Sequence, residues 1–289
     1  MVAVAAVGAI AGSVMSATAA SAAPVTRLTY VNAETNFDST VYKSVRVFCP
    51  AGLQLIGGSY ELSGAEGAVV LDDFIPSPDN LLVGAGEIVG PGESSDGTTA
   101  SWKVVATAVC SAPLSGYSIQ TGSSDFTHTG PNVSQAGRAF CPPGRSVVTG
   151  GASLSNGFGQ VSISLLDVGN TVVEADAHPD VDGYSGDWSV TAYAICADLP
   201  SNWRVIEKLS PSDTFLSRTE TAFCPAGLVP IGVGWRTFGS VRGVVDRYFT
   251  RAKIVTGTDP GVTVTAAGPA STSSPWQLAA RAVCVTGQA

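Results

Sequence analysis

Three times along the chain the same cassette recurs: Phe-Cys-Pro-x-Gly, a stretch of glycine-broken apolar segments, then Trp and, eight positions on, a second cysteine. The copies begin at Phe48, Cys49, Pro50 and Gly52, at Phe140, Cys141, Pro142 and Gly144, and at Phe223, Cys224, Pro225 and Gly227. They close at Trp102 and Cys110, Trp188 and Cys196, and Trp276 and Cys284. All six cysteines belong to the cassettes. With the cassette as ruler the repeats run 27–113, 114–200 and 201–287, about 87 residues each, a period too long for the familiar solenoids.

Each repeat reads as short strands separated by turns. Pro-x-Gly after the first cysteine is a β-turn, with Pro fixing φ and Gly tolerating the exit geometry. The next strand meets a glycine pair or near-pair: Gly57-Gly58, Gly150-Gly151, and Gly232 with Gly234. Glycine inside a strand marks a bulge, a corner or the close approach of another backbone, so three copies in register predict such a feature in every repeat. On the Trp strand, side chains alternate at period two. One face therefore carries Trp102, Val104, Ala106, Ala108 and Cys110, repeated as Trp188, Val190, Ala192, Ala194, Cys196 and as Trp276, Leu278, Ala280, Ala282, Cys284. The other face varies from Lys103 to Ser189 to Gln277. The constant face is expected to be buried, its alanines marking where another sheet or repeat lies close.

Residues Val2 to Ser16 are small, apolar and uncharged and lead to Ala20-Ser21-Ala22. This has the form of a secretory signal with a small-residue cleavage site, and a cut after Ala22 is expected. No later stretch is long and apolar enough to span a membrane, so the mature chain is expected to be exported and soluble. Six cysteines allow fifteen connectivities. Export and threefold repetition together select Cys49–Cys110, Cys141–Cys196 and Cys224–Cys284. Each bridge would close a loop of roughly sixty residues, worth about 4 kcal/mol on a chain-entropy model.

Only 13% of residues are charged and 33 are Gly, which favours strands and turns over helices with charged faces. The net charge of -8 argues against nucleic acid, whose phosphates require excess Lys and Arg. The charge is unevenly divided. Residues 27–113 hold 4 basic and 10 acidic groups, 114–200 hold 2 and 8, and 201–289 hold 9 and 5.

The pattern Cys-Pro-x-Gly, glycine cluster, Trp-x-Val-x-Ala-x-Ala-x-Cys resembles a repeat of secreted and tail-fibre-like actinobacterial proteins. That resemblance covers nearly all of the mature chain and implies a fold unit rather than an activity. A weaker resemblance is to the vitelline membrane outer layer protein family, whose three disulfide-bearing all-β repeats form a β-prism; it implies three equivalent sheets around an axis. The chain is therefore expected to be all-β, three homologous disulfide-bridged units in a pseudo-threefold β-prism, with three tandem small β-sandwiches as the alternative, and monomeric or weakly oligomeric.

Catalytic signals are sparse. His128 and His178 do not recur between repeats, and no Gly-x-Ser-x-Gly, His-Glu-x-x-His or phosphate loop is present. No catalytic residue, cofactor or metal is expected. Glu174, Asp176, Asp180, Asp182 and Asp187 supply oxygen ligands of the kind Ca²⁺ takes, but Asp180-Val-Asp182-Gly183 is only a fragment of a calcium loop, and a solvated acidic loop is the default reading. Asp72-Asp73 carries still less. The constant Trp residues read as core. Trp235 does not recur, Ser59 and Ala152 being taken as its counterparts. With Arg236, Arg242, Arg247, Tyr248 and Arg251 it forms the candidate ligand site, since an exposed ring flanked by arginines suits sugar stacking or an anionic polymer. The competing reading makes Trp235 a core filler and pairs the arginines with the two acidic repeats. The function expected is non-enzymatic binding of a glycan or cell-wall polymer, with docking of another secreted protein as the alternative.

Overall fold

A computed structural model describes residues 23–288 apart from 66, 89–97, 127–132, 158, 181–182, 240–247 and 269–274; the signal segment lies outside the described residues. Repeat 1 forms β1 (Thr29–Glu34), β2 (Tyr42–Phe48), β3 (Gln54–Ser63), β4 (Val69–Ser77), β5 (Asn80–Glu87) and β6 (Lys103–Ser111). Repeat 2 forms β7 (Ser118–Ser123), β8 (Gln135–Phe140), β9 (Ser146–Ser155), β10 (Val161–Val168), β11 (Val172–Pro179) and β12 (Ser189–Ala197). Repeat 3 forms β13 (Arg204–Leu209), β14 (Ser217–Phe223), β15 (Val229–Phe238), β16 (Tyr248–Val255), β17 (Gly261–Ala267) and β18 (Gln277–Val285). There is no helix among the described residues.

The strands make three six-stranded antiparallel sheets, and no sheet belongs to one repeat. Their orders are β1-β6-β3-β16-β17-β14, β13-β18-β15-β10-β11-β8 and β2-β5-β4-β9-β12-β7. Each repeat thus gives its first, sixth and third strands to one sheet and its fourth, fifth and second to another. The exchange is cyclic, which generates the pseudo-threefold prism. Tandem sandwiches would keep every pairing inside a repeat, whereas here β3 pairs with β16, β9 with β4 and β15 with β10.

Bulges and glycines make these seams possible. The third strand is bulged between Leu55 and Gly57 and between Pro230 and Gly232, and β9 shows the matching irregularity opposite Ile195 and Cys196. The fourth strand is bulged between Leu71 and Asp73, Ile163 and Leu165, and Phe249 and Arg251. A Cβ at Gly57 would collide with the Ile231 carbonyl oxygen of repeat 3, and one at Gly151 with the Phe74 carbonyl of repeat 1. The glycines therefore sit where backbones of different repeats meet, and a bulge accompanies them, as their placement predicts.

The Trp-x-Val-x-Ala-x-Ala-x-Cys face is buried in all three copies. Its alanines leave room for bulky neighbours: Ala106 lies opposite Tyr60, and Ala280 opposite Trp235. The rings of Tyr60 and Trp235 meet edge-on at 5.5 Å, with Phe74 5.8 Å from Tyr60 and Phe249 5.7 Å from Trp235. One apolar core thus joins side chains of all three repeats.

The three disulfides are Cys49–Cys110, Cys141–Cys196 and Cys224–Cys284. Each is internal to a repeat, yet each joins two sheets, because the second and sixth strands of a repeat belong to different ones. The sixth strand runs from Trp to Cys, so the antiparallel registers put the Cys-Pro-x-Gly turns, the hairpins between fourth and fifth strands, and the links between repeats at one end of the prism. The chain ends meet there too: Val25 N–H donates to Thr286 O at 2.9 Å, and Gln288 N–H to Val25 O at 2.8 Å. The remaining connections, from first to second, third to fourth and fifth to sixth strands, all fall at the Trp end.

Candidate functional site

The expected ring-and-arginine surface on repeat 3 does not assemble. Trp235 is fully buried, and a ring with no exposed area offers no face to a ligand. Its true counterpart is Tyr60, not Ser59: Trp235, Ala152 and Tyr60 each face the same alanine position of the sixth strand, Ala280, Ala192 and Ala106. The glycine spacing differs between repeats, whereas Tyr60, Ala152 and Trp235 stand at one constant offset from Cys49, Cys141 and Cys224. Tyr248 is also buried. Arg236 pairs with Glu207 at 3.2 Å and lies over the Phe238 ring, while Arg251 and Lys253 both pair with Glu61. Arg242 and Arg247 lie outside the described residues.

The charge asymmetry between repeats thereby finds its structural use. Glu61 belongs to repeat 1 and its two cations to repeat 3; Arg281 of repeat 3 likewise pairs with Asp167 of repeat 2. Burial alone would raise the Glu61 carboxyl. Hydrogen bonding by Lys253 and the charges of Arg251 and Lys253 outweigh burial and hold it below the ordinary range.

The other sequence candidates are placed as follows. His128 and Asp182 lie outside the described residues. His178 is buried, which pushes its imidazole down to about 4. Glu174 pairs with Arg138 at 2.5 Å. Among the described residues no group of His, Cys, Asp and Glu is arranged to hold a metal.

A position the cassette did not reveal lies at the start of each second strand, always a long donor: Lys43, Gln135 and Arg218. Lys43 donates to Asn36 O at 3.1 Å, Asp38 O at 2.9 Å and Trp102 O at 2.7 Å, and lies over the Trp102 ring. Gln135 donates to Trp188 O at 3.0 Å, and Arg218 lies against Asp213 and over the Trp276 ring. Its signal is its offset, five residues before the cassette Phe. Hydrogen bonding by Lys43 holds the Asp38 carboxyl down at about 2. In repeats 1 and 3 these donors tie the loop between first and second strands to the Trp strand, and in repeat 2 the donor ties the second strand to it.

At that end repeat 1 departs from the common pattern. A cleft of about 410 Å³ is lined by Val41 and Tyr42, Val70 and Asp72 of β4, Gly86 and Glu87 of β5, and Asn156, Gly157 and Gly159 from repeat 2. The bulge after Leu71 breaks the alternation of side chains, so two consecutive carboxylates gather about one phenol. The Tyr42 hydroxyl donates to Asp73 Oδ2 at 2.9 Å and also reaches Asp72. Gly84 leaves the space: a Cβ there would stand 2.5 Å from the Tyr42 hydroxyl and 2.9 Å from Asp73 Oδ2. Glu87 closes the floor, accepting from Trp102 Nε1 at 3.0 Å and from Thr98 N–H at 2.8 Å.

The electrostatics are unusual for this chain. Burial and then the neighbouring Asp73 charge push the Asp72 carboxyl up to about 7; burial raises Asp73 as well, and burial followed by Asp73 raises the Tyr42 phenol. No ion pair among the described residues involves Asp72 or Asp73. The equivalent bulges carry Ser164-Leu165 and Thr250-Arg251, and the place of Tyr42 is taken by Ser134 and Ser217. The cleft is thus a feature of repeat 1, while the sequence had singled out repeat 3. Two adjacent acids where the counterparts read Ser-Leu and Thr-Arg were the available signal.

A second surface feature does recur. The cassette phenylalanines Phe48, Phe140 and Phe223 are 58%, 61% and 54% exposed, so a residue present in every repeat contributes little to the core. The chain matches no protein-family model, and comparison with curated proteins finds no similar sequence.

Proposed function

We propose that the protein is an exported, non-enzymatic binding module that holds a polyhydroxylated ligand, a glycan of the cell envelope or extracellular space, in the cleft around Tyr42, Asp72 and Asp73. The observation that carries this reading is the departure of one repeat from its two siblings: where they carry Ser134 and Ser217, Ser164-Leu165 and Thr250-Arg251, repeat 1 carries a phenol and two carboxylates beside a concave site. Ligand sites are concave, mostly apolar and furnished with a few convergent polar groups, and groups with displaced titration concentrate in them. Carboxylates accept from neighbouring sugar hydroxyls, and the partly exposed Tyr42 ring offers a surface for the apolar face of a pyranose. Three formed disulfides suit an oxidising compartment. Retention on insoluble cell-wall material and on a glycan array tests the reading, with Tyr42→Ala and the double variant Asp72→Asn, Asp73→Asn compared with wild type. Loss of retention in both, with the fold intact by circular dichroism, is expected; unchanged retention refutes the site.

A second reading is favoured by Phe48, Phe140 and Phe223. Exposed aromatic rings held at equivalent edges of three sheets suit docking of another secreted protein, since aromatic anchors dominate such interfaces. Stoichiometric co-purification of one protein partner, abolished by the triple Phe→Ser variant, distinguishes this from glycan binding.

A further inference from the structure

We infer that the cleft favours a ligand bearing a free ammonium group, an amino sugar rather than a neutral or N-acetylated one. The inference rests on the reading of the cleft as a glycan site and sharpens it. Six other carboxylates of the two acidic repeats are met by cations, Glu34 by Lys103, Asp38 by Lys43, Glu61 by Arg251 and Lys253, Asp167 by Arg281, Glu174 by Arg138 and Asp198 by Arg145, while Asp79 and Glu87 accept from neutral N–H donors. Asp72 and Asp73 are consecutive, share one phenol and meet no cation among the described residues. At the seam that builds this wall Asp73 lies opposite Ser153, whereas its counterpart Arg251 lies opposite Glu61 and pairs with it. An acid thus stands where the sibling seam has a cation, and no cation among the described residues pairs with it.

The chemistry of the site fits that vacancy. Tyr42 donates its single proton to the carboxylates, so the acceptor capacity that remains calls for further donors. An ammonium brings three donors and a charge, whereas a hydroxyl brings one donor and none. The Tyr42 ring, about half exposed on the cleft wall, adds a face for a cation. A volume of about 410 Å³ lies at the small end of ligand pockets, which begin near 300 Å³, and suits one or two sugar rings. Among the described residues, the titratable groups lining the cleft with Asp72 are Tyr42 on β2 and Glu87 on β5, and the repeat 2 wall contributes Asn156 and glycines; Asp73 reaches the site through its hydrogen bond from Tyr42. An ammonium therefore meets acidic groups and no described cation on the cleft lining. Because Asp72 in the empty cleft titrates near neutrality, a cation that needs it ionised should bind less well as pH falls below 7, by up to about tenfold per pH unit.

The test is calorimetric titration of the intact protein with β-1,4-linked tetramers of glucosamine, N-acetylglucosamine and glucose, and with tetralysine, at pH 5.5 and 6.5. The expected result is a preference of tenfold or more for the glucosamine tetramer, weakened at pH 5.5 and erased in the double variant Asp72→Asn, Asp73→Asn. Those substitutions conserve shape and remove a like-charge contact, so the fold should persist, and an unchanged circular dichroism spectrum verifies it. Equal binding of all three sugars, lost in Tyr42→Ala, overturns the ammonium inference and leaves the glycan site standing. Binding of tetralysine and no sugar overturns the glycan reading, and with it the amino-sugar assignment. Binding of none of the four overturns both.

Discussion

Replacing Asp72 by Asn should make the protein more stable at pH 8, by an amount that shrinks as pH falls toward 4. In the folded chain this carboxyl is raised from 3.8 to about 7 by burial and by Asp73. Between those values the folded state holds a proton that the unfolded state has released, so stability falls as pH rises through the interval and the full cost is reached above pH 7. The gap corresponds to about 4 kcal/mol for a group sealed from water. Asp72 borders an open cleft, and water on that side reduces the expected figure to about 1–3 kcal/mol. His178 acts in an overlapping window with the opposite sign: burial lowers its imidazole to about 4, so its contribution is present above the unfolded value near 6.5 and is lost as pH falls toward 4. The wild-type profile alone therefore mixes two slopes, and the difference between variant and wild type isolates Asp72. Thermal unfolding followed by circular dichroism from pH 4.5 to 8 reads it directly, each kcal/mol moving Tm by roughly 2–4 °C. A variant less stable than wild type at pH 8, or a difference that does not change with pH, would show that Asp72 is hydrated and unperturbed, and the electrostatic account of the cleft would fail.

Trp235→Ala should destabilise by about 3–5 kcal/mol, as removal of a buried aromatic does, seen as a lower Tm; near-zero cost would contradict its place among Tyr60, Phe74 and Phe249. Gly57→Ala forces a Cβ against the Ile231 carbonyl and should cost about 1–3 kcal/mol, whereas Gly52→Ala meets no neighbour but is strained by its positive φ of 78° and should cost about 1 kcal/mol. Residues 23–113 expressed alone should not fold as a monomer, because β3 and β4 lose their seam partners β16 and β9; light scattering with circular dichroism would show an unfolded chain or a trimer, and a folded monomer would refute the exchange of half-sheets.

Much of the framework was legible because repetition turns one sequence into three aligned ones. The disulfides and the buried Trp-Val-Ala-Ala-Cys face follow from positions that recur in every repeat, the Trp always eight residues before the second cysteine, and the bulges follow from a glycine cluster that recurs at nearly the same offset. The exchange of half-sheets was not legible, since strand periodicity states which face is buried and is silent on which repeat supplies the neighbouring strand. Trp235 misled for a related reason. A large residue where a neighbour has a small one reads equally as a surface specialisation or as a core residue, and burial shows the latter. At two seams small faces large across the repeats, Ala252 opposite Tyr60 and Ala152 opposite Phe74, while at the third Leu166 stands opposite Trp235.

That complementarity bears on how such a chain acquires a site. In a cyclic exchange every repeat touches both others through the core, so side chains facing inward are constrained jointly, as the Tyr60, Phe74 and Trp235 cluster illustrates. Side chains facing outward near the Trp end answer to no such constraint, and the donors at Lys43, Gln135 and Arg218 keep the nearby segments in place whichever residues stand on the surface. Repeat 1 carries Tyr42, Asp72, Asp73 and Gly84 where its siblings carry Ser134 and Ser217, Ser164-Leu165 and Thr250-Arg251, and Asp176 and Thr265, and the outward seam pair changes with them, from Leu165 opposite Arg236 and Arg251 opposite Glu61 to Asp73 opposite Ser153. The cost of the acidic pair is local to the bulge, and a fold clamped at the opposite end by three disulfides and its joined termini can sustain it.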